Sequence, residues 1–256
     1  MPSRSSTSRE GIRLNRFLAS CGLGSRRGCE NLISAGQIQI NGETCKNMGA
    51  RVLPDDTVRH NGMILQQARE TTILLNKPRD FLCSRGDPQG RDTIYNLIPP
   101  AFHHLPHIGR LDQDSRGLIL LSNASKLSEH LSHPKHQIEK EYHVTLNQNF
   151  NHDHIERLTR GIRLEDGLAV AKSVKPLSVR RVSVVLTQGY KRQIRNMFDK
   201  LGYRVKNLER IRIGNLMAHD LLPGKWKILS HQEIEAAMMQ NNLPKKTKRA
   251  RAQKKI

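Results

Sequence analysis

The chain has 256 residues, with 43 Lys and Arg against 23 Asp and Glu, and a formal net charge of +20. An excess of that size points to a polyanion, with nucleic acid as the first expected partner, and no apolar run approaches the roughly 18 residues of a spanning helix. The start, MPSRSSTSREG, has positive charge without a following apolar stretch, so no signal peptide is expected and a soluble, cytoplasmic protein is the simplest reading.

The first predicted module runs from Arg13. In RLNRFLASCG, Leu14, Phe17 and Leu18 recur at helical spacing, Gly22 can stop the helix, and Ser25 can cap a second one carrying Cys29, Leu32 and Ile33. QIQINGETCK then alternates as a strand, with Asn41-Gly42 and later Asn61-Gly62 as tight turns. Two short helices and a small sheet follow, a core of marginal size on its own.

MILQQARETT is polar, lacks Pro and Gly, and reads as a tether. Beyond it TILLNKP, FLCS and GLILLS are expected strands, KLSEHLSH a helix with Leu127 and Leu131 on one face, EKEYHVTL a strand and HDHIERLTRG a helix. LEDGLAV offers a hairpin turn at Asp166-Gly167, and RRVSVVL is another strand. In YKRQIRNMFDKLG, Ile194, Met197, Phe198 and Leu201 fix a buried helix face, while Lys191, Arg192 and Arg195 line another. YRVKNLERIRIGNL returns to strand, and Ser230 with Glu233 forms a capping-box pattern for a last helix. Strands outnumber helices and often follow one another directly, which argues for an α+β fold with a largely antiparallel sheet. The expected division is a disordered N-terminus (1–12), an RNA-binding domain (13–65), a linker (66–71), a catalytic domain (72–240) and a disordered basic tail (241–256). That tail holds seven of the basic residues and no acid.

Cys21, Cys29, Cys45 and Cys83 match neither a zinc pair nor a compact disulfide framework and are expected reduced. HHLPH and HPKH lack partnered ligands at suitable spacing, so no metal is expected.

The stretch GRLDQDSRGLILLSN places two aspartates among arginines ahead of an apolar segment. On pattern alone, Asp112 or Asp114 reads as a turn residue binding loop amides, Tyr142 as a packed strand residue, and Arg195 as part of a solvated helix face. Three segments taken together change that reading: GRLDQDSRGLILLSN, KEYHV and QGYKRQIRNMF, with LLNKP upstream, resemble the signature segments of the pseudouridine synthases. The likeness runs from roughly Arg13 to Trp226. It is to the branch that modifies ribosomal RNA, and LDQDS and KNLERIRIGNL resemble the large-subunit synthase of the F type.

The resemblance implies a mostly antiparallel mixed-sheet catalytic domain and isomerisation of uridine by an aspartate nucleophile and base flipping, without cofactor or metal. Asp112 would be the nucleophile, Arg195 its cationic partner and Tyr142 the residue packed on the base, while Asp114 braces the loop or faces away. A carboxylate suits nucleophilic attack on the sugar or ring, and a guanidinium at contact distance favours its ionised form. Two positions depart from the pattern: Asp80 where relatives often have glycine, and Asn196 where they often have a second basic residue.

RLNRFLASCGLGSRRGCENLISAGQIQINGE is in turn similar to the ribosomal-protein-S-four-like RNA-binding domain. Arg13, Arg16, Arg26 and Arg27 would be its phosphate contacts, joined by Arg110, Lys191 and Arg192 near the pocket. The expected partners are ribosomal RNA, large-subunit first with small-subunit RNA or tRNA as alternatives, and a ribosomal subunit precursor, bound by a monomer. Two rivals remain open: a non-catalytic RNA-binding assembly factor, and a metal nuclease using Asp112, Asp114 and a nearby histidine.

Overall fold

The computed structural model describes residues 11–239, so the basic tail and the first ten residues lie outside the described residues. The chain opens with β1 (Ile12–Arg13), α1 (Leu14–Ser20) and α2 (Arg26–Ser34). Leu14, Leu18, Cys29 and Ile33 are fully buried at helical spacing. Ser25 caps α2 by accepting from Gly28 N at 3.0 Å. There follow β2 (Ile38–Ile40), β3 (Glu43–Thr44), β4 (Arg51–Val52), β5 (Val58–His60) and β6 (Met63–Ile64). Four of them form a sheet in the order β3-β2-β5-β6. Asn41 and Gly42, like Asn61 and Gly62, all have positive φ, the geometry of the tight hairpins read from their dipeptides. Ile12, placed in the N-terminal tail from sequence, instead pairs with Val52.

The larger domain holds β7 (Thr72–Lys77), β8 (His107–Ile108), β9 (Arg116–Ser122), α3 (Ser125–Ser132), β10 (Lys140–Leu146) and α4 (His154–Arg160). It continues through β11 (Ile162–Leu164), β12 (Gly167–Ala169), β13 (Ser173–Ser178), β14 (Arg181–Leu186), α5 (Gln193–Asp199) and β15 (Val205–Ile213). β16 (Leu216–Met217), β17 (Trp226–Ile228) and α6 (His231–Met238) complete it. Its nine-stranded sheet runs β13-β14-β10-β15-β9-β7-β17, with β16 on β15 and β8 on β9.

The FLCS segment is not a strand; Leu82 makes only an isolated bridge to Thr93. Asp80, at φ 71°, turns the chain out of extended geometry just before it. β7 and β9 are buried on both faces, Leu74, Leu118 and Leu120 under α3 and α6, Ile73, Leu75, Ile119 and Leu121 under the loop carrying Ile94 and Tyr95. That double burial is why both strands read as unbroken apolar runs. A further core packs α4 and α5 against β10 and β14 through Val144, Leu146, Val182, Val184, Ile194 and Phe198.

One pairing in the large sheet is parallel: β9 meets β15 through Arg116 with Glu209 and Gly117 with Arg210. Gly117, at φ 111°, lets the two backbones touch, since a Cβ there would collide with the backbone N and O of Arg210. Gly117→Ala is therefore expected to destabilise the protein by about 3 kcal/mol, combining overpacking and backbone strain. Denaturant unfolding measures it, and a change below about 1 kcal/mol would contradict the close approach. The Asp112 loop enters β9 beside this junction.

Candidate active site

Lys77 ends β7 opposite Gly117 and its side chain is completely buried. Its ammonium donates to Pro78 O at 3.0 Å, Asp112 O and Gln113 O at 3.2 Å each, and Ser115 O at 2.6 Å. Burial pulls the Lys77 pKa down, opposed by Cys83, Asp80, Asp114 and Asp112 around it. The loop from Asp112 to Ser115 is thus wrapped around a cation by its own carbonyl groups. Further bonds close it: Ser115 N to Asp112 O at 3.0 Å, Leu111 N to Cys83 Sγ at 3.4 Å, and Asp80 N to Gln113 O at 2.8 Å. Asp80 takes a left-handed φ of 71°, a geometry that glycine adopts freely and a residue with a Cβ only at some cost.

The second wall comes from the segment before α5. The helix starts at Gln193, three residues into the YKRQIRNMFDKLG segment read as helical, and Arg192 precedes it in left-handed geometry. Lys191 and Arg192 therefore do not line the helix with Arg195. The expected ion pair also differs. Asp112 Oδ2 faces Arg192 Nη1 at 3.7 Å, whereas Arg195 Nη2 meets Asp114 Oδ2 at 3.2 Å, Asp114 O at 3.1 Å and Ser115 Oγ at 3.3 Å. Arg195 also donates through Nη1 to Val205 O at 3.0 Å. It is a brace between the loop, α5 and β15. Arg192 reaches Asp114 as well, at 3.3 Å, so Asp114 lies between two guanidinium groups and braces the loop.

Burial pushes the Asp114 carboxyl up, but Arg192 and Arg195 outweigh it and hold the group below the ordinary carboxylate range. Its stabilising contribution is present above the unfolded value, about pH 4, and disappears as pH falls through the lowered folded value. Asp114→Asn is expected to lower Tm at pH 7, and the gap from wild type should shrink on acidification below about pH 4. A gap independent of pH would contradict the ion pair.

Asp112 and Tyr142 line one hollow of about 120 Å³ together with Arg110 and Arg192. Tyr142 is half-buried on the inner strand β10, paired to Val184 on one side and Arg210 on the other, with its ring against the core. The apolar floor is Leu111, Leu186, Ile194 and Leu208; Tyr190, Gln188 and Gln193 complete the rim. The Asp112 side chain is 33% exposed, open to a ligand. Arg195 is absent from this lining and supports it from behind.

Of the expected RNA contacts, Arg13, Arg26, Arg27, Arg110, Lys191 and Arg192 are exposed, while Arg16 is half-buried and donates to Ser125 Oγ at 3.0 Å. Sequence reasoning missed the role of Lys77 and of the glutamines. Gln193 Oε1 accepts from Tyr190 N at 3.1 Å and its amide donates to Gln188 Oε1 at 3.2 Å, fixing the rim. An apolar-face count cannot register a buried amide; the lone lysine ending the TILLNKP run was the available clue. The four cysteines are free. Among the described residues no group of three or more His, Cys, Asp or Glu could hold a metal ion, and no helix is long and apolar enough to cross a membrane.

Residues 71–200 match the family described as RNA pseudouridylate synthase, and residues 12–58 match the S4 domain. The ribosomal large subunit pseudouridine synthase B of Bacillus subtilis (strain 168) is 31% identical over 229 residues, 87% of this chain and 94% of that one. The ribosomal small subunit pseudouridine synthase A of Yersinia pestis is 32% identical over 227 residues, 87% of this chain and 97% of its own length. A crystal structure of a pseudouridylate synthase superposes with a TM-score of 0.66 at 30% identity, covering 88% of this chain and 99% of the other. These names are of the B and A types, whereas the motif resemblance pointed to the F type. With an S4 domain ahead of a sheet that carries an aspartate and a tyrosine into one hollow, the chain belongs to the RNA pseudouridylate synthase family and is an isomerase that makes pseudouridine in RNA.

Proposed function

We propose that the substrate is a uridine of large-subunit ribosomal RNA and that Asp112 is the nucleophile. The observation that carries the residue assignment is the shared hollow: Asp112, Tyr142 and the Arg192 guanidinium all face one space open to solvent. The reaction breaks the bond from ribose C1′ to uracil N1, turns the base and rejoins it through C5. C5 loses a proton and N1 gains one, so atoms and electrons balance without a cofactor.

A base inside a helix cannot present these atoms, so the uridine must leave its stack at a cost of a few kcal/mol. Tyr142 offsets part of that by stacking, worth about 1 to 3 kcal/mol per base. Asp112 attacks; Arg192 supplies the positive charge beside it, and Arg195 keeps the loop in place through Asp114 and Ser115. Arg110 at the rim, with Lys191 and the S4 arginines Arg13, Arg16, Arg26 and Arg27, takes backbone phosphates. The working division is an RNA-binding unit that takes in Ile12 and runs to 65, a linker at 66–71 and a catalytic unit at 72–240, acting as a cytoplasmic monomer on a ribosomal subunit precursor.

The large-subunit substrate is favoured by the Bacillus relative and by a second synthase B, from Vibrio cholerae serotype O1, also 31% identical. The Yersinia relative, named for the small subunit, supports the second reading. Pseudouridine maps of both ribosomal RNAs and of tRNA, from cells with and without this protein, decide between them. Loss of one large-subunit modification is expected; loss confined to small-subunit RNA or tRNA would overturn the assignment.

A further inference from the structure

The two domains meet across a seam that is bonded at its edges, directly through Arg16 and otherwise through the linker, and hollow in the middle. Ser20 O accepts from Ala68 N at 3.1 Å, Ser20 Oγ accepts from Gln67 Nε2 at 2.8 Å, and Arg16 reaches Ser125 at 3.0 Å. Asn123 Oδ1 accepts from Thr71 N at 2.7 Å. The buried core of the S4 domain shares no residue with those of the larger domain. Between these bonds lies a cavity of about 570 Å³, against about 120 Å³ for the catalytic hollow. A second opening of about 720 Å³ adjoins it and shares Arg16 and Arg26. A packed interior leaves few voids larger than a water, while several hundred Å³ is the size of a ligand site.

The lining identifies the occupant. Arg16 and Arg26 enter from the S4 side and Arg85 from the larger domain; the adjoining opening adds Arg13, Arg51 and Lys126. Glu129 is the one carboxylate residue lining either space among the described residues. Ser125, Ser128 and Ser132 add hydroxyl donors. Cations and hydroxyls at this density match phosphodiester oxygens. The half-buried ring of His107 lies in the same lining, fixed by the 2.8 Å contact of its Nδ1 with Gly109 O, and offers a face on which a base can stack; burial, with Arg110 and Arg85, holds its pKa down against that bond.

His107 starts the segment that leads through Gly109 and Arg110 to Asp112. Five extended residues span at most about 17 Å, so seam and catalytic hollow lie a few nucleotides apart.

We propose that this seam is a second RNA site, in which the strand carrying the target uridine continues from the hollow, its phosphates on Arg16, Arg26 and Lys126 and one unpaired base against His107. The proposal rests on the reading of the hollow as the uridine site and adds a catalytic-domain half to the S4 contacts.

The test compares two RNAs on the full chain: a hairpin presenting the target uridine alone, and the same hairpin extended by about ten single-stranded nucleotides on each side. Wild type should bind the extended RNA at least tenfold more tightly. Lys126→Glu reverses an exposed charge, and Ser128→Trp fills the cavity; each should bring the affinity ratio of long to short close to one. Lys126→Glu should also flatten the salt dependence for the extended RNA by about 0.7 per lost phosphate contact. An unchanged ratio and slope in Lys126→Glu would overturn the proposal, as would equal weakening of both RNAs. Because that residue is exposed, the result stands even if Ser128→Trp fails to fold. Absence of pseudouridine in both RNAs with wild type would sink the isomerase reading instead, and the binding ratio would still judge the seam.

Discussion

Asp112→Asn is expected to reduce pseudouridine formation by about 10⁴-fold or more while leaving RNA affinity within a few-fold of wild type. Asparagine is close to aspartate in shape and keeps the backbone carbonyl that Lys77 and Ser115 N bind, so the loop should persist. What disappears is the anionic oxygen, and an amide has no comparable reactivity toward the sugar or ring. Losses of this order accompany removal of a reacting group whose surroundings survive. Single-turnover conversion of a uridine-containing hairpin measures the effect beside a binding isotherm for the same RNA. A rate within tenfold of wild type would remove Asp112 from the chemistry and leave the hollow without a nucleophile.

Lys77→Met should be the most damaging change outside the hollow. Methionine approximates the length of lysine without a donor, so the volume stays filled while four carbonyls lose a charged hydrogen-bond partner. Asp112 O and Gln113 O keep the amides of Ser115 and Asp80, so the cost falls mainly on Pro78 O and Ser115 O, at about 1 to 3 kcal/mol for each buried acceptor left unmet, with part recovered by relaxation and water. A net loss of about 3 kcal/mol follows, which at roughly 2 to 4 °C per kcal/mol for a chain of this size lowers Tm by about 10 °C. Folded variant should also show a reduced kcat with RNA affinity nearly intact, because Asp112 loses its fixed position. A Tm within 2 °C of wild type, or a kcat unchanged in the folded fraction, would mean that the ammonium does not organise the loop.

Local patterns carried much of this architecture because they report local physics. Ser25, Asn41-Gly42 and Ser230 with Glu233 each specify a cap or turn within four residues, and each is found where its pattern places it. The apolar runs of β7 and β9 likewise report burial on two faces. Three signature segments pointed to Asp112 and Tyr142, which do share a hollow. Partner choice among charges was not legible. Arg192 and Arg195 are three positions apart and would share a face had α5 begun earlier; with a left-handed residue at 192, the Arg192 guanidinium reaches both Asp112 and Asp114, while Arg195 pairs with Asp114. Nor does any pattern show that a lysine will be enclosed by carbonyls 35 to 38 positions along the chain.

That enclosed ammonium resembles the arrangement in ion-binding loops, where oxygens converge on a charge drawn from solution. Here the ion is grafted to the polypeptide, so it can be neither diluted away nor extracted by a chelator. Its delivery depends on strand register alone: zipping β7 onto β9 sets Lys77 opposite Gly117 and drives the charge into the loop. Completing the sheet and shaping the Asp112 turn are consequently a single folding event, and the two should appear together when refolding is followed by hydrogen exchange.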